Sequence, residues 1–364
     1  MRFLLNRSVR RDPAYRGSFS AADYAAVEAF YGSTPSLAPT PLRQLTSLAS
    51  ALGLGQLMVK DESARFGLTA FKSLGVRYAV DRLGREALQA GVVCATAGNH
   101  GRAVARAARD LGVPCTVFLP ALVDRASAEE QAIRRARVDG LQADGAHVVA
   151  VSGSYEEAVA RAAAHGSATG AVIVSDTAWP GYEAIPHDIM AGYTRLFTEA
   201  SRQWPEAPDV VIVQGGVGGL VCAAANWLAF HGAGRRPFLI ACEPDGWACL
   251  MESARIGGLA HLTTPSQPPT MMAGLRCLEA SPAAWPAVRD GVDAFVAIPD
   301  AFAVKAMHEL AGRGADPSIA AGPSGACGIA ALMALVSQPL MRDVRDACRL
   351  GPSTRVLAIV TEGK

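Results

Sequence analysis

Short apolar runs rich in Val and Ile recur along the chain, separated by longer stretches whose apolar positions follow helical spacing. The runs Gln56–Val59, Val92–Ala95, Thr116–Leu119, His147–Val151, Val172–Ser175, Val210–Val213, Phe238–Cys242, Ala294–Ile298 and Arg355–Val360 predict strands. They lack polar alternation, as strands buried on both faces do. Helical patterns fall at about Lys72–Ala90, Asn99–Leu111, Ala128–Ala136, Tyr155–His165, Tyr182–Ser201, Gly218–Phe230, Ala301–Gly312 and Gly325–Leu335. Strand-helix alternation over most of the length predicts an α/β fold with mostly parallel sheets flanked by helices. A chain of 364 residues exceeds one ordinary core, so two domains are expected. The segment through Pro39 carries little periodic signal, and Gly257–Thr270 reads as a surface loop.

Composition narrows the classes. With 34 basic and 33 acidic residues the net charge is +1, which gives no reason to expect nucleic acid or an anionic membrane as partner. No apolar run approaches the roughly 18 residues that span a bilayer. Met1–Arg11 carries too many charges to read as a secretory signal, and a cytoplasmic location is the expectation. The eight cysteines show no C-x-x-C spacing, so no metal site is expected. Cys249 and Cys277 flank the Gly257–Met272 loop, and whether they pair is open; reduced thiols are the expectation for a cytoplasmic location.

Candidate chemistry sits at strand ends. Lys72 opens a helix, where an ammonium group opposes the helix dipole; an amine there suits condensation with an aldehyde. Gln214–Leu220 places Gly215, Gly216, Val217, Gly218 and Gly219 between a buried strand and a helix, a turn whose amides converge on an anion such as phosphate. The same spacing fits a plain tight turn. It also fits a dinucleotide loop with Glu243 as its ribose-binding acid, although Val221 stands where the third glycine belongs. In Thr96–Gly101, Asn99 is placed to cap a helix, and His100 is read as packed in the loop or assisting proton transfer. Asp176 follows another buried strand, and Thr361 ends the last one. Trp179 and Tyr182 serve as pocket walls or as core. An amine for an aldehyde, a side-chain amide for a ring hydroxyl, a glycine cradle for a phosphate and a hydroxyl for a ring nitrogen together match the contacts of pyridoxal phosphate.

The stretches Lys60–Lys72, Gly98–Arg102, Asp176–Trp179 with Gly181–Tyr182, Glu243–Asp245, Met272–Leu275 and Thr361–Gly363 give the chain its resemblance. From about Pro41 to Gly363 it resembles the fold type II (tryptophan synthase β-like) pyridoxal-phosphate enzymes, and within them the diaminopropionate ammonia-lyases. The resemblance implies pyridoxal 5′-phosphate as cofactor, a large domain of residues 1–72 and 194–364, a small mobile domain of residues 73–193, and a homodimer. It implies that Lys72 forms a Schiff base and then acts as the Cα base. Phe71, Asn99, Gly215–Gly219 and Thr361 become cofactor contacts, Ala97, Gly98 and His100 substrate contacts, and Asp176 both a substrate contact and a catalytic acid. A threonine facing the pyridine nitrogen implies elimination of a β-group. L-2,3-diaminopropionate is the leading substrate, giving pyruvate and two ammonia molecules. A hydroxy-amino-acid dehydratase, a β-replacement synthase and a cofactor-binding homologue without turnover are the alternatives. Two positions depart from the ammonia-lyase pattern. Ala97 stands where these enzymes carry the aspartate that serves the D-enantiomer, and Pro323 stands where glutamate is typical.

Overall fold

A computed structural model of the chain describes residues 1–12, 14–96, 98–120, 128–152, 155–232, 236–263 and 270–364. The chain divides into two compact units. The first holds Met1–Phe71, Thr177–Trp179 and Tyr193–Lys364, and the second Lys72–Asp176 with Pro180–Gly192.

The first unit opens with β1 (Arg2–Leu5), α1 (Ala21–Gly32), β2 (Leu42–Gln44), α2 (Thr46–Ala51) and β3 (Gln56–Asp61). Ser20 starts α1 with a capping box: its hydroxyl accepts the Asp23 amide at 3.2 Å while its own amide donates to the Asp23 carboxylate at 2.7 Å. The second unit runs α3 (Lys72–Ala87), β4 (Val92–Ala95), α4 (Asn99–Leu111), β5 (Cys115–Pro120), α5 (Ala128–Ala143), β6 (His147–Val151), α6 (Tyr155–Thr169) and β7 (Val172–Ile173). Helix α7 (Ala184–Gln203) leads back to the first unit. That unit is completed by β8 (Val210–Gln214), α8 (Gly219–His231), β9 (Phe238–Pro244), α9 (Cys249–Ile256), α10 (Trp285–Gly291), β10 (Ala294–Ile298), α11 (Asp300–Leu310), α12 (Cys327–Ser337), α13 (Arg342–Ala347) and β11 (Arg355–Val360).

The first unit carries a seven-stranded sheet in the order β1-β10-β9-β8-β11-β3-β2. Its five inner strands are parallel, and β1 and β2 close the edges antiparallel. The second carries four parallel strands in the order β6-β5-β4-β7. The predicted α/β class with mostly parallel sheets therefore holds. Alternate residues of the inner strands (Val210 and Ile212, Ile240 and Cys242, Val356 and Ala358) share one core cluster with α2, α11 and α12. Their other-face neighbours Val211, Val213, Leu239, Ala241 and Ile359 are buried too. Both faces are covered, which explains the missing polar alternation.

The structure also departs from the sequence pattern. β1 and β2 escape the pattern because edge strands of three or four residues, reading RFLL and LRQ, show no Val/Ile run. The segment before Pro39 supplies β1 and α1, with Arg2 to Leu5 paired to β10. α5 extends to Ala143 rather than Ala136, and β7 stops at Ile173 rather than Ser175. Residues 264–269 of the expected Gly257–Thr270 loop lie outside the described residues. Among the described residues no single helix is long and apolar enough to cross a membrane.

Candidate active site

In the second unit, Lys72 is the first residue of α3 and its Nζ pairs with Oδ2 of Asp176. The two are 104 positions apart. The carboxylate answers the ammonium group at the helix end where the dipole disfavours it. Asp176 is placed by the turn after β7. The Tyr182 hydroxyl donates to the Ile173 carbonyl at 2.9 Å and accepts the Ser175 amide at 2.8 Å, pinning the turn from both sides. Tyr182 is thus a staple of this loop. Burial opposes charge on Asp176, but Lys72 and then His100 outweigh it and hold the carboxyl well below the usual carboxylate range.

His100 lies in the first turn of α4. Its Nε2–H donates to the Val174 carbonyl at 2.9 Å, and its Nδ1 is 3.9 Å from Oδ2 of Asp176. Burial lowers the imidazole pKa; Asp176 pulls it up and Lys72 pushes it down again. Gly98, not Asn99, occupies the N-cap of α4, in extended backbone and without a side-chain cap. Its amide donates to Thr96 Oγ1 at 3.1 Å. Asn99 is therefore the first helical residue and is half-buried, so the capping role read from sequence does not hold. Ala97 lies outside the described residues.

In the first unit, the glycine loop follows β8. Gln214 anchors its start, the side-chain amide donating to Gly325 O at 2.9 Å and Ile359 O at 2.7 Å. A Cβ on Gly215 would lie 2.8 Å from Cγ of Glu243 and 2.9 Å from Cδ1 of Leu250, so only glycine lets the chain pass here. Gly218, the N-cap of α8, has φ +96°, again a glycine conformation, and no side chain caps the helix. The first amides of α8 are thus left for an outside acceptor, and a phosphate group fits that donor set. Glu243 does not serve as a ribose acid. It is 1% exposed, and its oxygens accept the Leu250 amide at 2.8 Å and the Met251 amide at 3.0 Å, capping α9 from beneath the glycine loop. The dinucleotide reading fails on that geometry.

β8 and β11 are parallel neighbours with Ala358 opposite Ile212. Thr361 and the glycine loop therefore leave the same C-terminal edge of the sheet, where ligands of such sheets bind. Thr361 is buried, and its carbonyl accepts the Phe71 amide at 3.1 Å. Gly363 donates to Thr69 O at 2.7 Å and Gly322 donates to Glu362 O at 3.0 Å, so the terminal segment is stitched between Thr69–Phe71 and the Gly322 turn. Phe71 also packs on Tyr193, ring centroids 4.8 Å apart. The turn containing Pro323 is pressed against this strand end, since a Cβ on Gly325 would meet Glu362 O.

Two supports go beyond the roles read from the sequence. Ser281 accepts the Ala178 amide on its hydroxyl at 3.0 Å while its own amide donates to Val217 O at 2.8 Å, tying the glycine loop to the segment after Asp176. Lys60, Glu62, Arg65 and Glu199 form a buried charge cluster. Lys60 Nζ lies 2.8 Å from Glu199, and Arg65 Nη2 lies 2.6 Å from Glu62 and 2.7 Å from Glu199. None of the eight cysteines is in a disulfide among the described residues, and Cys249 Sγ donates to Gly216 O at 3.3 Å.

The family model for pyridoxal-phosphate dependent enzymes matches residues 33–362. The chain belongs to that family. Its cofactor is pyridoxal phosphate, in keeping with an amine at a helix start and an uncapped glycine-lined helix N-terminus. The chain is 35% identical to a diaminopropionate ammonia-lyase of Salmonella typhimurium, over 93% of this chain and 88% of that protein. It is similar to the crystal structure of the Escherichia coli diaminopropionate ammonia-lyase in complex with an aminoacrylate-PLP azomethine reaction intermediate. There the TM-score is 0.86 and the identity 32%, covering all of this chain and 94% of that one. Maize serine racemase has the same fold at 26% identity and a TM-score of 0.78, covering 96% of this chain and 94% of that one.

Proposed function

We propose that the protein is a pyridoxal-phosphate-dependent ammonia-lyase that converts L-2,3-diaminopropionate and water to pyruvate and two ammonia molecules. The pairing of Lys72 with Asp176 carries this reading, because it sets a base and a carboxyl beside each other in the chain of a family whose similar members bear that name. Pyridoxal phosphate, when bound, would supply an aldehyde for an amine to hold and a ring that draws electrons from Cα. Lys72 is the amine that anchors the cofactor, and after release it takes the Cα proton. Asp176 binds the β-amino group and delivers the proton with which it leaves. The amides of Gly215–Gly219, including Val217, hold the phosphate; Asn99 meets the ring hydroxyl and Thr361 the ring nitrogen, with Phe71 beside the ring. Ala97, Gly98 and His100 receive the substrate carboxylate. Ala97, lacking a carboxylate, leaves the D-enantiomer without its base. A homodimer in the cytoplasm is the working assembly.

The test is a pyruvate and ammonia assay on cofactor-loaded protein given L- and D-2,3-diaminopropionate, L-serine and L-threonine. Pyruvate and ammonia in a ratio of one to two from the L-diamine alone is the expected result. Keto acid from L-serine or L-threonine alone would move the assignment to a dehydratase. No product from any of the four would overturn elimination on these substrates.

A further inference from the structure

His100 holds a buried polar atom that the cofactor contacts do not use. The side chain is 7% exposed, and its Nδ1 has no hydrogen-bond partner among the described residues. The Val174 carbonyl can only accept, so Nε2 carries the proton and Nδ1 of the neutral ring is a bare lone pair. That lone pair faces Oδ2 of Asp176 at 3.9 Å, the same oxygen that pairs with Lys72. One oxygen thus stands between an ammonium donor and an imidazole acceptor.

We propose that His100 is the proton store of the Lys72–Asp176 pair, accepting through Asp176 the proton that Lys72 must release before its nitrogen can bond to an aldehyde. This rests on Lys72 as the cofactor lysine. The balance is simple. Lys72 Nζ loses one proton to Oδ2 of Asp176, and Oδ2 passes it to Nδ1 of His100. The sequence leaves a neutral amine, a carboxylate and an imidazolium, with no change in total charge. The imidazolium is then held at both ends, Nε2–H on Val174 O and Nδ1–H towards Asp176. The reverse transfer returns the proton to Asp176, the group assigned to protonate the leaving amine.

The electrostatics couple the three groups. While Lys72 is charged it depresses the imidazole and holds Asp176 ionised; once that charge is gone, Asp176 is left beside His100 alone. Among the described residues, Cys94 on β4 and Tyr182 also interact with Asp176, both raised by burial. Arg102, on the same helix as His100, is paired to Asp144 at 2.7 Å.

The test is a histidine 15N NMR titration of the full-length protein, with a His100→Gln spectrum identifying the His100 signal among the seven histidines. Lys72→Met should raise the His100 midpoint by about one pH unit or more, the size expected when a carboxylate loses its competing partner. Adding Asp176→Asn to Lys72→Met should bring it back down. An unchanged midpoint in Lys72→Met, or no fall in the double variant, would leave His100 a packed structural histidine and overturn the proposal. A second arm follows the cofactor-loaded His100→Gln protein, whose glutamine amide can keep the Val174 hydrogen bond. It should retain the cofactor's visible band while the acid limb of its kcat profile shifts; a profile superimposable on wild type would also overturn the proposal. The NMR arm needs neither cofactor nor substrate, so its outcome stands apart from the fate of the functional assignment.

Discussion

At the scale of single residues, the site depends on a few charges placed against the grain of their local structure. Lys72 at a helix start is tolerable because Asp176 neutralises it. Lys72→Ala is expected to remove the cofactor's imine absorbance band and to abolish turnover, checked by visible spectroscopy and the pyruvate assay. Asp176→Asn keeps the size of the side chain but cannot deliver a proton. Its kcat is expected to fall by about 10²-fold or more, the usual worth of a general acid, with the visible band retained. The pairing itself could not be read from the sequence. Asp176 could be read as a loop or capping aspartate, and only closure of the second unit's sheet brings it to Lys72. Asn99 shows the opposite error: its type suits a cap, yet Gly98 takes that position.

At the scale of elements, the glycine loop shows why a turn between strand and helix is more than a connector. Gly215 passes over Glu243 and Leu250 with no room for a methyl group. Gly215→Ala is expected to displace the loop and weaken cofactor binding, at a cost of about 1–3 kcal/mol, read as a rise in the cofactor dissociation constant. Glu243 beneath it adds a pH dependence. Burial pushes its carboxyl up to about 7 from an ordinary 4.5, against the pull of the Leu250 and Met251 amides. Between those values the folded chain holds a proton that the unfolded chain has lost. This contribution to stability is therefore full below about pH 4.5 and is lost as the pH rises through about 7. Urea titrations across that window should show wild type losing stability relative to Glu243→Gln as the pH increases; a constant difference would contradict the assignment.

At the scale of the whole molecule, the buried charge cluster joins segments far apart in the chain. Arg65 and Glu62 are fully buried and Glu199 is 1% exposed at its side chain. The chain between β3 and Lys72 leaves this cluster and is then tied to the C-terminus by Phe71 and Gly363. Arg65→Met would leave two buried carboxylates short of a partner, and a loss of about 3–5 kcal/mol is expected in urea denaturation. Arg65→Met combined with Glu199→Gln should lose less than the sum of the two single changes, because the pair shares its energy.

Much of this architecture was legible from local pattern. The nine Val- and Ile-rich strands and the long helices follow from burial on both sheet faces, which leaves continuous apolar runs that any single stretch displays. Strand ends followed by Gly, Asn or Asp marked where chemistry gathers, because parallel strands all deliver their C-termini to one edge. What the chain did not show locally is whatever depends on partners far away in sequence. The edge strands β1 and β2 exist only because β10 and β3 offer them open hydrogen bonds. The short helices α2, α9, α10 and α13 are set by packing rather than by periodicity. Glu243 as a cap, Ser281 as a tie, Tyr182 as a staple and His100 as a lone pair facing Asp176 were decided by tertiary structure. Each of these roles is a distance between segments that only the folded chain brings together.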